Sequence, residues 1–349
     1  MKKKSMALIL AVTLILTGSV NLFANSRAAV LFLLISPGAR SAGMGESFVA
    51  VADDATAVFW NPAGLAFQRG REVTFMHANW LPGLLGASSD MYYEFLAYRQ
   101  YFESLSGTLG ANVTFLNLGE MNRTDETGPE VIDTFTSWDL AVSLSYATQV
   151  TEDLGLGVGM RYIRSNLAPE GTGEEKGSGI GTAFAVDLSL LYKFGFIDGL
   201  NFGLNLSNIG PKITYVDASQ ADPLPTNLRI GFAYKLLDTE FNRLTISVDT
   251  NKLLVHEREP IFEAMVNSFG DPMRQQFREL ISSIGVEYVY NNMISLRTGY
   301  YYDEEGQVKY PTFGAGLQYA AYRFDFAYVA AEQGHPLADT MRFSLSASF

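Results

Sequence analysis

Leu154-Gly155-Leu156-Gly157-Val158-Gly159-Met160-Arg161-Tyr162 alternates at every step. In an extended chain Leu154, Leu156, Val158, Met160 and Tyr162 fall on one face and Gly155, Gly157, Gly159 and Arg161 on the other, the period of a strand whose two sides meet different surroundings. The same dyad recurs on both sides of this stretch. Phe184, Val186, Leu188, Leu190 and Tyr192 oppose Ala185, Asp187, Ser189 and Lys193; Leu228, Ile230, Phe232 and Tyr234 oppose Arg229, Gly231, Ala233 and Lys235; Tyr322, Phe324, Phe326 and Tyr328 oppose Arg323 and Asp325. Working outward in this way predicts fourteen strands, near 71–78, 90–98, 107–118, 135–149, 154–164, 179–193, 200–208, 225–236, 242–253, 281–290, 293–302, 311–319, 322–329 and 340–349.

The connectors between them alternate in length. The odd-numbered ones run to about 11, 16, 14, 16, 27, 8 and 10 residues and the even-numbered ones to about 8, 4, 6, 5, 2 and 2, with strand ends placed only to within a few residues. An even number of antiparallel strands with all long loops at one end is the pattern of an outer-membrane barrel, whose periplasmic turns are short and extracellular loops long. Asn291-Asn292 is a tight-turn candidate at the short end. Closure also satisfies every backbone group in lipid, which an open sheet cannot do. Tyr146, Tyr162, Tyr192, Tyr234, Tyr300 and Tyr319 fall near strand ends, where an interfacial aromatic girdle belongs. The chain finishes on a dyad strand, Met341 to Phe349. Its aromatic carboxy-terminus resembles the terminal signal read by the barrel-assembly machinery of bacterial outer membranes, so Phe349 is a candidate assembly signal.

Composition fits this class and excludes others. The chain has 349 residues, 48% of them hydrophobic and only 18% charged, with 24 Phe, 18 Tyr and 32 Gly. A net charge of −12 argues against nucleic acid as a partner. The absence of Cys excludes disulfides, thiolate metal sites, a cysteine nucleophile and a lipoprotein anchor. His77, His256 and His335 lie too far apart in sequence to suggest a metal site. At the amino-terminus Lys2-Lys3-Lys4 precedes an apolar run from Met6 to Leu16, and Leu22-Phe23-Ala24 is a small-residue cleavage site, so residues 1–24 read as a signal peptide removed on export.

Residues 25–70 break the strand pattern. They hold Ser36-Pro37-Gly38-Ala39-Arg40-Ser41-Ala42-Gly43-Met44-Gly45 and, further on, Ala52-Asp53-Asp54-Ala55-Thr56-Ala57-Val58-Phe59-Trp60-Asn61-Pro62-Ala63-Gly64-Leu65. Small residues permit close backbone approach and Asn-Pro favours a turn, so a compact plug in or under a barrel spanning 71–349 is the physical expectation. This stretch resembles the PorV/PorQ family of outer-membrane proteins, and its Asn61-Pro62-Ala63-Gly64-Leu65 end is shared with the wider FadL-like group. The resemblance implies a fourteen-stranded barrel with an amino-terminal hatch, in which Gly43, Met44, Gly45, Asp53, Asp54, Asn61, Pro62 and Gly64 form the hatch motif. It further implies a role in type IX protein secretion. PorV-like members bind the carboxy-terminal signal domains of cargo leaving the translocon and pass them to the surface attachment machinery. FadL itself conducts hydrophobic molecules laterally through its wall, and a passive channel for such molecules is the alternative.

Other motifs reduce to structural roles. Asp53-Asp54 has no histidine or second acidic cluster beside it and reads as a turn or helix cap rather than a catalytic or cation site. Gly155 to Gly159 lacks the strand-to-helix transition of a dinucleotide loop and reads as glycines facing a crowded lumen. No catalytic residue, cofactor or metal is expected. Between the ninth and tenth strands, residues 254–280 carry Ile261, Phe262, Met265, Val266, Phe269, Met273, Phe277 and Leu280 at helical spacing, divided by Gly270-Asp271-Pro272 into two short helices. They either pack on the rim or offer a Met- and Phe-rich surface for cargo or translocon, in which Phe262, Met265, Phe269, Met273 and Phe277 are the candidate contacts. The loop 119–134, with Glu120, Asp125, Glu126, Glu130 and Asp133, is a second candidate for steering a basic partner.

Overall fold

The computed structural model describes residues 28–82, 90–124, 130–168, 178–256, 259–270 and 272–349. The expected signal peptide, residues 25–27, Asp125, Glu126 and Asp271 lie outside the described residues. The chain forms a closed antiparallel barrel of fourteen strands in which each strand pairs with its sequence neighbours and the last pairs with the first. They are β1 (Arg71–Asn79), β2 (Tyr92–Phe102), β3 (Gly107–Thr124), β4 (Val131–Gln149), β5 (Leu154–Asn166), β6 (Ile180–Lys193) and β7 (Leu200–Ile209). The second half is β8 (Asn227–Asp238), β9 (Asn242–Leu253), β10 (Ile281–Tyr290), β11 (Ile294–Asp303), β12 (Val308–Tyr319), β13 (Tyr322–Val329) and β14 (Thr340–Ser348). Closure runs from Glu72 opposite Ser348 to Ala78 opposite Arg342. Beyond the ladder, the Arg71 and Phe349 amides each donate to the other's carbonyl at 3.0 Å.

The two faces separate as the dyad requires. Leu144, Met160, Phe184, Leu188, Phe313 and Leu345 are exposed on the outer surface, the face that lipid covers, whereas Arg161, Asp187, Arg297, Asp325 and Arg342 are buried in the lumen. No helix among the described residues is long and apolar enough to cross a membrane. Asn291 and Asn292 both adopt positive φ in the tight three-residue β10–β11 turn, in which the Met293 amide donates to the Tyr290 carbonyl at 3.0 Å.

Two long connectors are shorter than the sequence suggests. β3 runs on to Thr124 and β4 begins at Val131, because the two strands continue as a ribbon past the point where their apolar alternation fades. The eleventh, expected at about eight residues, occupies only 304–307 for the same reason. The ninth is the longest, 254–280, and contains two short helices, Ile261–Asn267 and Met273–Arg278.

The hydrophobic core lies inside the barrel. Residues 28–70 pass through the lumen as a 3-10 turn (Leu31–Leu34), a short helix (Ala39–Gly43), a second (Ala57–Trp60) and a 3-10 turn (Pro62–Phe67). Their buried Met44, Phe48, Val58, Trp60 and Leu65 pack with Met76, Tyr93, Phe95 and Ile163 of the wall. Glycines on the lumenal face of the strands make room for this backbone. A Cβ on Gly155 would lie 2.8 Å from the Ala63 carbonyl oxygen, and one on Gly157 would overlap the Ala63 amide.

Candidate functional site

The lumenal segment is held to the wall by two kinds of contact. On one side backbone meets backbone. Gly45 has φ +64°, and a Cβ there would stand 2.6 Å from the Tyr300 amide nitrogen of β11. Only glycine combines that left-handed conformation with that approach at low cost. Gly43 lies against Gly314 of β12, and Met44 is wholly buried over Gly285 and Gly299. The Thr312 hydroxyl donates to the Gly43 carbonyl at 3.1 Å and accepts from the Gly45 amide at 2.9 Å. On β9, one Asp249 carboxylate oxygen accepts from the Phe48 and Val49 amides at 2.7 and 2.8 Å.

Asn61 works as a junction. Its carbonyl oxygen accepts from the Ala63 amide at 3.1 Å, capping the 3-10 turn that Pro62 begins, while its amide donates to the carbonyls of Val49 at 2.8 Å and of Leu190, on β6, at 3.0 Å. One side chain therefore ties two lumenal turns to the wall. Gly64 packs directly on the Ala52 carbonyl, where a Cβ would overlap the oxygen. Trp60, fully buried, donates through Nε1 to the Pro37 carbonyl at 3.1 Å and carries the Arg229 guanidinium 4.5 Å from its ring centre.

Next to the backbone contacts, on β10, β11 and β13, the contact is ionic. Arg40 of the lumenal segment reaches Asp53 at 2.5 Å, Asp54 at 3.1 Å and Glu287 of β10 at 2.7 Å. Glu287 also pairs with Arg297 at 2.7 Å, and Arg297 with Asp325 at 2.7 Å. Arg323 of β13 closes the circuit on Asp54 and Asp325, each at 3.0 Å. Burial alone would push the Asp54 carboxyl up, but Arg323 and Arg40, with hydrogen bonds from Thr56, outweigh it and hold the group below the usual carboxylate range. Asp54 is thus both the turn-former foreseen from sequence, accepting from the Thr56 amide at 3.0 Å, and a link in a buried network that spacing did not reveal. Asp53 stands at its exposed edge. A further clamp joins Arg342 of β14 to Glu46 at 3.0 Å and to the Ser36 carbonyl at 2.5 Å.

The eight motif residues Gly43, Met44, Gly45, Asp53, Asp54, Asn61, Pro62 and Gly64 therefore all lie in the lumenal segment. Of the wall residues, Thr312 and Arg323 bond the motif itself, Asp249, Glu287 and Arg342 bond other residues of the lumenal segment, and Arg297 and Asp325 bond within the wall; all these pairings escaped sequence reasoning. The available signal was a charged side chain in the middle of a lumen-facing row, where solvation is poor and a partner is required.

The rim site is separate from the lumen. Phe262, Met273 and Phe277 are 73%, 72% and 65% exposed, and Val266 and Phe269 are exposed as well. Met265 is only half-buried, and the loop packs downward through Ala264 and Ser268. The Ser268 hydroxyl donates to the Ala264 carbonyl at 2.7 Å, keeping that face compact. Under the loop, Pro223, Leu224, Leu254, Val255, Ile261 and Ala264 line a mostly apolar cavity of about 400 Å³ shared with the β7–β8 connector. Phe349 lies far from both, at the opposite end of the barrel, its ring exposed on the outer face. Among the described residues no cluster of His, Cys, Asp or Glu is arranged to hold a metal.

Comparison with known proteins agrees with this geometry. Among solved structures the chain is similar to the toluene transporter TbuX of Ralstonia pickettii, with a TM-score of 0.57 at 14% identity over 90% of this chain and 98% of that one. It is similar to the monoaromatic hydrocarbon channel CymD, with a TM-score of 0.55 at 14% identity over 90% and 98% of the two chains. The toluene transporter TodX of Pseudomonas putida gives 0.53 at 14% identity over 89% and 96%. At such identities the likeness establishes the FadL-like fold alone. No curated protein matches the chain in sequence. The barrel is an integral protein of the outer membrane. A family model described as type IX secretion system protein PorV matches residues 24–259, more than half of the sequence, and the chain belongs to the PorV family.

Proposed function

We propose that the protein is a non-enzymatic docking component at the cell surface, binding the carboxy-terminal signal domains of type IX cargo at its extracellular rim and passing them from the translocon to the attachment machinery. In this reading residues 1–24 are an export signal, residues 25–70 a hatch that keeps the barrel sealed, and Phe349 the mark read by the assembly machinery. The observation that carries it is the contrast between the two ends of the design. The lumen is packed with backbone and neutralised charge, while the rim loop holds Phe262, Val266, Phe269, Met273 and Phe277 in water, a costly placement unless a partner covers them.

A second reading, passive conduction of hydrophobic molecules, draws on the apolar cavity beneath the same loop. Changing Phe262, Phe269 and Met273 together to Ser separates the two. Cargo retained on affinity-purified barrel should fall severalfold, with barrel assembly and uptake of a labelled fatty acid unchanged. Intact cargo capture with impaired uptake would reverse the assignment.

A further inference from the structure

β3 and β4 outrun the rest of the barrel. β2 pairs with β3 only as far as Asn117, and β5 pairs with β4 only from Trp138. Past those points β3 and β4 pair with each other alone, up to Thr124 opposite Val131. At roughly 3.3 Å per residue the six residues from Gly119 to Thr124 extend the ribbon by about 20 Å. Its foot is marked by an aromatic collar, with the ring of Phe115 lying 6.1 Å from Tyr92 and 6.2 Å from Trp138. Such collars sit at the membrane–water boundary, so the ribbon stands in water.

Its two edges differ. On the β3 side Asp90 packs against Gly119, and its carbonyl accepts from the Asn117 amide side chain at 2.8 Å. On the β4 side no described residue continues the ladder along Val131 to Phe135. The direction of the backbone there is readable from two bonds: the Thr136 carbonyl accepts from the Asn166 side chain of β5 at 3.4 Å, and the Thr134 amide turns to the neighbouring Asp133 carboxylate at 2.8 Å. The Thr136 bond leaves the ribbon toward β5, and the Thr134 amide is engaged by the side chain beside it.

Natural sheets protect such edges with lysine, proline or a covering element. The stretch Val131-Ile132-Asp133-Thr134-Phe135 has neither lysine nor proline and is composed mainly of strong strand formers, with one irregularity, a register shift that leaves Ile132 as the extra residue near the tip. Val131 and Ile132 are 54% and 60% exposed. Its own charges are acidic, Glu130 and Asp133, in a chain of net charge −12, and Asp133, half exposed, pairs with Arg123 across the ribbon at 3.5 Å.

We propose that this edge of β4 receives an extended segment of a protein partner by strand addition, the partner's backbone completing the ladder and its Lys or Arg side chains meeting the acidic flank. The idea rests on the reading of the protein as a docking component, and it places the backbone contact on the ribbon rather than on loop 254–280.

The test uses the detergent-purified full-length barrel and a ten-residue probe peptide alternating Val and Lys, together with the same peptide N-methylated at alternate residues. The peptide should bind, slow hydrogen exchange of amides in 131–136, and lose at least tenfold in affinity on N-methylation. Thr134→Pro should weaken binding comparably, because it places a ring on the strand and removes an amide bonded to Asp133. Asp133→Lys, which keeps the backbone, should weaken it severalfold. Equal binding of the N-methylated peptide would show charge capture alone and overturn the proposal. So would a concentration-dependent dimer abolished by Thr134→Pro, which would assign the edge to a second copy of the chain. Cargo capture that survives Thr134→Pro but is lost on changing Phe262, Phe269 and Met273 would overturn strand addition and leave the docking function standing.

Discussion

Glu287 is where the lumenal segment is most directly tied to the wall by charge. It accepts from Arg40 Nε at 2.8 Å, Arg40 Nη2 at 2.7 Å and Arg297 Nε at 2.7 Å. Each bond to a charged group contributes about 1.5–3 kcal/mol, and removing one partner of a buried pair costs about 3–5 kcal/mol. Arg40 keeps Asp53 and Asp54, and Arg297 keeps Asp325, so the loss belongs at the low end. For Glu287→Leu we expect about 3 kcal/mol less holding the helix Ala39–Gly43 in place, and for Glu287→Gln, which keeps one acceptor oxygen, about half that. The chain has no cysteine, so a single introduced thiol reports without background. Ser41→Cys is nearly isosteric and fully buried in that helix. Where reclosing is faster than labelling, its maleimide reaction rate reports the open population, and about 3 kcal/mol corresponds to roughly a hundredfold acceleration. Glu287→Leu should give that, Glu287→Gln roughly a tenth of it, and an exposed control such as Glu263→Gln no change. If both Glu287 variants label within twofold of the parent, the ionic network does not hold the segment and the backbone contacts alone suffice.

Other outcomes follow from the same geometry. The purified protein should migrate faster unboiled than boiled on gels and give a β-rich circular dichroism spectrum in detergent; a helix-dominated spectrum would contradict the barrel. Gly64→Leu forces a side chain into the Ala52 carbonyl, and Asn61→Ala removes bonds to Ala63, Val49 and Leu190, so both should raise planar-bilayer conductance; unchanged closed behaviour would show that residues 28–70 do not seal the lumen. Phe349→Asp alters an exposed ring but leaves the backbone pairing of its residue with Arg71, so the outer-membrane level should fall severalfold while the assembled fraction stays heat-modifiable. Undiminished levels would show the terminal ring to be incidental.

Most of the barrel was legible because a strand between lipid and a packed lumen must alternate, and Leu154 to Tyr162 does so without exception. The alternation is a record of lipid, however, and not of hydrogen bonding. Where β3 and β4 leave the membrane above Phe115 and Trp138, the ladder continues in water and the apolar signature stops, so the ribbon read as loop. The lumenal network was hidden for a different reason. Arg40 and Glu287 are joined across 247 positions, and Asp54 and Arg323 across 269, separations that no local pattern can express. In loop 254–280 periodicity identified two helices but not their orientation. The smaller residues Ala264 and Ser268 take the inner face beside Ile261, where close approach matters, and Phe262, Val266, Met273 and Phe277 are left outside.

In the function proposed above, sealing and docking make opposite demands, which fall on different parts of the chain. A seal needs every lumenal charge paired and every backbone group bonded, which is why glycine and small residues dominate 36–64 and why each wall cation there meets a carboxylate, a carbonyl or a ring. A docking surface needs groups left unsatisfied until a partner arrives. On that proposal two of them lie at the same end of the barrel: apolar side chains on the helical loop, and the β4 edge along which no described residue continues the ladder. The two surfaces recognise different things, one the side chains of a partner and the other its main chain, so a partner that engages both is selected for composition and for conformation together. Losing either surface should then weaken capture without opening the lumen, since neither shares a bond with Arg40, Asn61 or Glu287.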